Sequence, residues 1–149
     1  MNSVDTVSTP GSAGITKEKK VRKPVARSVR TIQPWDYQIP YRFCSSRPHE
    51  GETLIVVLRG RVGLLLFPSS GKIVQTIRLG GAGEKREYRI PEGTYFTLIT
   101  LVHESAVLEV HPTAANVRPE WLPEMPQAHS AEARTLWRKW FDYFQRSPR

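Results

Sequence analysis

Cysteine is almost absent from this chain of 149 residues, which has one, Cys44. No disulfide can therefore form within the chain, and this fits a reducing compartment. No run approaches 18 consecutive apolar residues, and the first residues include no apolar leader, so we expect neither a membrane span nor a secretion signal. The length is enough for one domain with a sizeable core. We therefore expect a cytoplasmic protein of one domain.

Phosphate-binding motifs are also missing. The glycine-rich segment 80–83 lacks the Lys-Ser or Lys-Thr pair of a P-loop and the strand-to-helix context of a dinucleotide motif. Its composition predicts a flexible loop. Cys44 has no histidine at a defined spacing that would support a nucleophile, so a small buried apolar side chain is the favoured interpretation.

Acidic residues are few at the start of the chain. Residues 1–30 carry seven basic and two acidic side chains, a net +5 of the total +8, which leaves +3 for residues 31–149. The seven basic residues are Lys17, Lys19, Lys20, Arg22, Lys23, Arg27 and Arg30. Residues 1–29 have too few apolar side chains to offset the entropy of ordering, and we predict a disordered basic tail. Such a tail attracts anionic partners non-specifically, or it serves only to keep the chain in solution.

Short apolar runs separated by Gly and Pro occupy residues 30–112 and predict an all-β barrel or sandwich. We expect seven or eight strands, connected mostly by hairpins. The predicted strands are one or two within 30–44, followed by 53–58, 61–67, 72–79, 87–90, 94–101 and 106–110. Gly60 is placed at a tight hairpin turn between the second and third of these segments, since glycine adopts positive φ at little cost.

The chain changes character after residue 112. Residues 113–129 are rich in proline, and we predict an extended strap in which Trp121 and Leu122 pack on the barrel. Ser130 is placed to cap a helix over 130–146. Trp137, Trp140, Phe141 and Phe144 fall on one face of that helix at i, i+3, i+4 and i+7. We expect this aromatic face to pack on the barrel or on a partner subunit.

Three segments resemble a known family. Leu58-Arg-Gly-Arg61, Leu64-Leu-Leu-Phe67 and Ile90-Pro-Glu-Gly-Thr-Tyr95 are similar to segments of the WbuC-type cupin proteins, which occur in bacterial O-antigen and other polysaccharide gene clusters. The resemblance covers about residues 30–140. It implies a single cupin jelly-roll β-barrel, which in this family holds a metal ion on three imidazoles and one carboxylate.

The resemblance places the four metal-ligand positions best at Tyr41, Phe43, Thr53 and Phe96, none of which suits a metal ion. A shorter loop spacing would instead put Arg47 and His49 at the first two positions, which leaves one imidazole. We therefore predict a cupin that has lost its metal and has no cofactor. A rearranged metal site that uses His49 together with Glu50 or Glu52 is the alternative. Glu52 adjoins Thr53, and it should face the opposite side of the strand because side chains alternate.

A ligand site at the barrel mouth is the remaining candidate. Its predicted residues are Tyr37, Arg42, Arg59, Arg61 and Tyr95. Aromatic rings with arginine suit a sugar or a sugar nucleotide. His103, His111 and His129 are interpreted as surface residues.

Two functions follow, and a third depends on the tail alone. The first is a binding or scaffolding module linked to polysaccharide metabolism, with a homodimer as one arrangement. The second is a carbohydrate enzyme resembling cupin sugar isomerases and epimerases, with a rearranged or metal-free site. The sequence offers no evident inward-facing acid–base pair beside a tyrosine, which weighs against the second. The third is salt-sensitive binding of nucleic acid by the tail.

Overall fold

The computed structural model describes residues 25–45, 51–68, 72–113 and 117–146. Residues 1–24 of the disordered tail predicted over 1–29 lie outside this part of the chain. The described residues form nine strands and one helix: β1 Val25–Ile32, β2 Tyr41–Ser45, β3 Thr53–Arg59, β4 Val62–Phe67, β5 Gln75–Leu79, β6 Glu87–Ile90, β7 Tyr95–Thr100, β8 Ser105–Pro112, β9 Val117–Trp121 and α1 Ala131–Arg146.

Two antiparallel sheets face each other, which confirms the predicted all-β class. One sheet has the order β9-β2-β7-β4-β5 and the other the order β1-β8-β3-β6. Alternate side chains of the two sheets meet in a buried apolar core that includes Ile55, Val57, Leu64, Leu98 and Val107. The edge strands β1 and β9 belong to different sheets.

The predicted hairpin of β3 and β4 is wrong. β3 pairs with β6 and β8 in one sheet, whereas β4 pairs with β5 and β7 in the other. Gly60 lies between them at φ 90°, and a Cβ at this position would overlap Ser105. The turn residue is therefore as predicted, but the turn carries the chain from one sheet to the other. Of the described strands, only β4 and β5 are both consecutive and paired, so the expectation of mostly hairpin connections is also wrong.

The barrel extends beyond both predicted boundaries. β1 begins at Val25, inside the segment 1–29 predicted to be disordered, because its backbone pairs with β8 from Val25↔Pro112 to Ile32↔Ser105. Residues 25–29 are exposed, so a burial pattern gives no sign of this ladder. Similarly, β9 lies inside the predicted strap and pairs with β2.

The helix packs on the outer face of the five-stranded sheet. Ser130 Oγ accepts a hydrogen bond from the backbone N–H of Ala133 at 3.1 Å, which confirms the predicted cap. Trp137, Trp140 and Phe144 are buried in a second apolar core with Leu65 and Ile99 of the sheet, so the packing of the aromatic face is confirmed. No described helix has the length and apolar character needed to cross a membrane.

Of the two strap residues expected to pack on the barrel, Leu122 does so and Trp121 does not. Leu122 is buried in the second core, whereas the Trp121 side chain is 57% exposed. Trp121 ends β9, opposite Tyr41, so its ring stands at an edge of the barrel.

Candidate functional site

A buried ionic cluster lies inside the barrel, where β1 and β8 of one sheet meet β2 of the other. Glu109 and His111 project from β8, Arg30 from β1 and Tyr41 from β2. Glu109 pairs across the ladder with the core residue Ile55, so its side chain points inward, and it is 4% exposed. We call these four residues the Glu109 cluster.

Both oxygens of Glu109 accept hydrogen bonds. The Oε2 atom accepts from Arg30 Nη2 at 2.8 Å and from Arg30 Nε at 3.1 Å. The Oε1 atom lies 2.8 Å from His111 Nε2 and accepts from the Tyr41 hydroxyl at 3.3 Å. A buried carboxylate with this number of charged and polar partners is stable in its ionised form.

The surroundings of the cluster shift the pKa values of Glu109 and Tyr41 in opposite directions. Burial alone would raise the pKa of Glu109, but the hydrogen bond from His111 and the charge and hydrogen bonds of Arg30 outweigh it and hold that pKa at about 2. The pKa of Tyr41 is raised, first by burial and then by the neighbouring Glu109 charge. Near neutral pH, Glu109 is therefore a carboxylate and Tyr41 a protonated phenol.

The arrangement fixes the orientation of the His111 ring. The contact to Glu109 is made by Nε2, so in the neutral imidazole the proton belongs on Nε2 and the lone pair on Nδ1. Nδ1 is buried and has no hydrogen-bond partner among the described residues. A buried polar atom left unpaired costs about 1–3 kcal/mol, and a ligand group that reached it would recover this energy.

Aromatic rings lie next to Tyr41 and His111 of the Glu109 cluster. Phe43 lies 4.9 Å from the His111 ring, and Tyr41 lies 4.8 Å from Phe96, between ring centroids. The exposed ring of Trp121 stands 6.2 Å from Tyr41. The charged Glu109 cluster therefore lies beside a group of apolar aromatic rings, and Trp121 adds one aromatic surface that faces solvent.

Two statements made from the sequence need correction here. His111 is not a surface residue near a turn, because its side chain is 17% exposed and binds Glu109. The prediction that no inward acid–base pair lies near a tyrosine is also wrong, since Glu109 and His111 form such a pair beside Tyr41. The signal was the alternation of Val107, Glu109 and His111. It was obscured because apolar Leu108 and Val110 occupy the other face of the same strand.

The structure brings together three of the four predicted former ligand positions. Tyr41, Phe43 and Phe96 form one aromatic group, and Thr53 is buried at the start of β3. Phenylalanine has no donor atom, so these residues do not fit the metal ion that the cupin resemblance implies. Among the described residues, no group of three His, Cys, Asp or Glu side chains is arranged to hold a metal.

The alternative metal site is only partly visible. His49 and Glu50 lie outside the described residues, so the loss of the metal stays a prediction. Glu52 is directed away from the core as expected, because its carboxylate lies 3.9 Å from Arg89, and Arg89 is opposite the outward-facing Leu54.

The five residues proposed for the barrel mouth do not form one site. Arg42 lies over the Tyr95 ring at 4.5 Å and pairs with Glu120. Arg59 pairs with Glu104, and Arg61 pairs with Glu84. Tyr37 stacks on Trp140 of the helix, and burial raises its pKa to about 12. These are contacts on the outer faces and loops, formed because each arginine has a nearby carboxylate or ring.

The remaining candidates lie apart from the Glu109 cluster. Cys44 is half-buried rather than buried, and burial raises the pKa of its thiol, which disfavours a reactive thiolate. His103 and His129 are exposed, as expected.

Comparisons with known proteins agree on the fold. No family model and no curated sequence matches the chain. A dTDP-sugar isomerase from Desulfovibrio desulfuricans G20 matches with a TM-score of 0.51 and 15% identity, over 72% of this chain and 71% of that one. Protein SO0799 from Shewanella oneidensis matches with a TM-score of 0.51 and 14% identity, over 69% of this chain and 66% of that one.

An 11S globulin matches with a similar TM-score over a small part of a longer chain. Procruciferin from Brassica napus gives a TM-score of 0.50 at 13% identity, and the match spans 66% of this chain but only 22% of the globulin. Identities this low establish a shared fold and no shared activity. The chain therefore has the cupin fold, a jelly-roll barrel to which a C-terminal helix is added.

Proposed function

We propose that this protein binds a carbohydrate at the Glu109 cluster and catalyses proton transfer on it without a metal ion. The observation that carries the proposal is His111, held by an ionised carboxylate beside a protonated tyrosine inside a cupin barrel. Proton transfer by a positioned histidine contributes about 10²–10⁴-fold to a rate. The proposed reaction class is isomerisation or epimerisation through abstraction of a proton next to a carbonyl group.

Each member of the cluster has a distinct role in this proposal. His111 takes the proton at Nδ1, and Glu109 stabilises the imidazolium that forms. Glu109 is itself a poor base, because its pKa is held at about 2. Tyr41, whose hydroxyl donates to Glu109 in the structure, turns this hydrogen bond to the developing oxyanion. Arg30 keeps Glu109 ionised and in place. Because Nδ1 is covered beside Phe43, ligand entry requires the Phe43 ring to move.

A carbohydrate is favoured by the exposed Trp121 ring beside a polar cluster. Aromatic surfaces with a few convergent polar groups are typical of small-molecule sites. The name of the isomerase with the similar fold supports testing keto sugars and their nucleotide-linked forms first.

The proposal is tested by hydrogen exchange. The full chain is freed of metal with a chelator and incubated in D₂O with a panel of keto sugars and nucleotide-linked keto sugars. We expect deuterium to appear next to the carbonyl of at least one sugar. We expect His111→Gln to slow this exchange by about 100-fold or more, and Lys85→Gln, an exposed loop variant, to retain it. Equal rates for the wild type and His111→Gln across the panel would contradict the proposal.

A binding or scaffolding module is the second candidate. It is favoured by the filled barrel, in which Tyr41 and Phe96 belong to the same buried core as Ile55 and Leu66. On this alternative, the protein binds a sugar at Trp121 without exchanging any of its hydrogens.

We also propose a metabolic setting, a cellular location, a homodimer and an anionic partner for this protein. The resemblance to WbuC-type cupins supports a place in polysaccharide metabolism. The single cysteine supports a cytoplasmic location. A homodimer is supported by apolar residues on the outer face of the four-stranded sheet, such as Val29 and Leu58. The charge of the N-terminal segment supports non-specific contact with anionic partners.

A further inference from the structure

A cavity that shares only Arg30 with the Glu109 cluster lies between the end of β1, the β1–β2 connection and the start of α1. Its volume is about 280 Å³, and its lining includes Arg30, Trp35, Asp36, Tyr37, His129 and Arg134. We call it the Trp35 pocket. The volume is at the lower end of the range for ligand sites, so it suits a molecule smaller than a typical drug.

The aromatic wall of this pocket is held in an unusual backbone conformation. Trp35 has φ 73°, and His129, also on the lining, has φ 69°. A bulky residue at positive φ persists only where packing enforces it. Here the Trp35 ring lies 4.6 Å from the Trp137 ring, between centroids, although it is 38% exposed.

Two arginines lie against the same ring. The guanidinium carbons of Arg134 and Arg138 are 4.9 Å and 5.0 Å from the Trp35 ring centroid. Neither makes an ion pair with a carboxylate in the described part of the chain, where the other arginine pairs involve Arg30, Arg42, Arg59, Arg61 and Arg89. A guanidinium stacked on a ring keeps its N–H groups in a fixed plane, and they are available to two oxygens of one ligand.

The charges around the pocket favour an anion. Arg30 and Arg134 line it, and Arg138 lies beside them. The acidic groups that oppose them are Asp36 on the lining and Glu109 behind Arg30. Asp36 already accepts a hydrogen bond from the backbone N–H of Gln33 at 2.8 Å. Two guanidinium groups thus line the pocket and a third, of Arg138, lies against its Trp35 ring, whereas both carboxylates already have a partner within the protein.

We propose that the Trp35 pocket binds a small oxyanion, a carboxylate or phosphate group, through the guanidinium of Arg134. The proposal does not depend on the proposed carbohydrate site, although the two sites share Arg30. Arg30 reaches both, so an anion in the Trp35 pocket would also act on the partner of Glu109.

The experiment uses the full chain with inorganic phosphate and with acetate as probes. Thermal unfolding is followed at pH 7 while sodium chloride is replaced by either probe at constant ionic strength. At a concentration ten times the dissociation constant, we expect the melting temperature to rise by about 3–5 °C. A rise with phosphate alone identifies a phosphate site, and a rise with both probes identifies a general oxyanion site.

Two helix variants locate the binding. Arg134→Gln should lower the affinity for the effective probe by about tenfold or more, because it removes the charged fork. Lys139→Gln, exposed on the same helix and absent from the pocket lining, should leave the affinity unchanged. Both variants keep the basic N-terminal segment, so binding by that segment would be equal in all three proteins.

The indole resonance of Trp35 gives a direct reading. It is assigned in the amide–indole NMR spectrum by its loss in Trp35→Phe, and we expect it to move during the titration. The absence of any probe-specific rise in melting temperature, or an equal rise in wild type and Arg134→Gln, would overturn the proposal. So would an indole signal of Trp35 that stays still at saturation.

Discussion

Glu109 accepts hydrogen bonds at both carboxylate oxygens while almost none of its surface is exposed. Its partners come from three different strands, β1, β2 and β8. The partners that stabilise this buried charge are therefore brought together only in the folded barrel. This makes Glu109 the residue where stability and the proposed chemistry meet, because the same carboxylate that anchors Arg30 also orients His111.

The acid stability of the protein should depend on Glu109. Its pKa is about 2 in the folded state, against about 4.3 for an unfolded glutamate. A lowered folded pKa contributes stability that is fully present above the unfolded value and is lost as pH falls towards 2. A shift of this size corresponds to about 3 kcal/mol. We expect Glu109→Gln to lower the free energy of unfolding by about 2–3 kcal/mol at pH 7 and by progressively less between pH 4.5 and 2.

Urea titrations across that pH range provide the measurement. Glu87→Gln is the matched control, since Glu87 is exposed on β6 in the same sheet. If Glu109→Gln and Glu87→Gln follow the same pH profile, the ionised, paired state of Glu109 is refuted.

Trp121 should matter for binding and little for folding. Its ring is mostly exposed, so Trp121→Ala should change the free energy of unfolding by less than about 1 kcal/mol. The same change should weaken binding of any sugar that occupies the Glu109 cluster by about tenfold or more, because it removes the stacking surface. Titrations of one sugar against wild type, Trp121→Ala and the exposed Trp35→Phe separate this ring from the Trp35 pocket. Unchanged sugar affinity in Trp121→Ala would place the sugar elsewhere.

The position of the helix α1 on the barrel depends on a glycine, Gly63, which has no side chain. Gly63 on β4 lies beneath Phe144, and a Cβ at Gly63 would approach the Phe144 ring to 2.6 Å. The sheet therefore offers a flat surface on which the aromatic face of the helix rests. This explains how the three buried aromatic residues of the helix, Trp137, Trp140 and Phe144, lie against the sheet.

Gly63→Ala should consequently loosen the helix. We expect it to lower the free energy of unfolding by about 1–3 kcal/mol, as overpacking does in other cores. Combining it with Phe144→Leu should recover part of that loss. The double mutant should therefore lose less free energy of unfolding than the sum of the losses in the two single mutants. Chemical denaturation of the four proteins measures this coupling. Strict additivity would show that Gly63 does not meet Phe144.

On the scale of the whole molecule, the first described strand, β1, begins at Val25 and forms one edge of the four-stranded sheet. Removing residues 1–24 should leave the melting temperature within about 2 °C of wild type, since the β1–β8 ladder is kept. Removing residues 1–29 should lower it clearly, because five residues of that ladder are lost. Both deletions should weaken salt-sensitive binding to nucleic acid by a similar factor, as both remove five basic residues of the tail and the longer one removes Arg27 as well. Equal melting temperatures for the two deletions would refute the role of β1.

The sequence predicts where the strands lie better than it predicts which strands pair. The run 87–90 and the capped aromatic helix follow from local patterns, and they lie where expected. The pairing of β3 does not, because alternation shows which face is buried but not which strand lies alongside. The exposed residues 25–29 carry no burial pattern at all. The Glu109 cluster joins residues up to 81 positions apart, from Arg30 to His111, so no local signal could assemble it.

The most direct test of the Glu109 cluster is the protonation state of the His111 ring. Long-range ¹H–¹⁵N NMR of the histidine side chains, assigned with His111→Gln, distinguishes a proton on Nε2 from one on Nδ1. The geometry predicts that neutral His111 carries its proton on Nε2, next to Glu109, and loses this preference in Glu109→Gln. A proton on Nδ1 in the wild type, or a tautomer that is the same in both proteins, would contradict the account of a histidine oriented for proton transfer by Glu109.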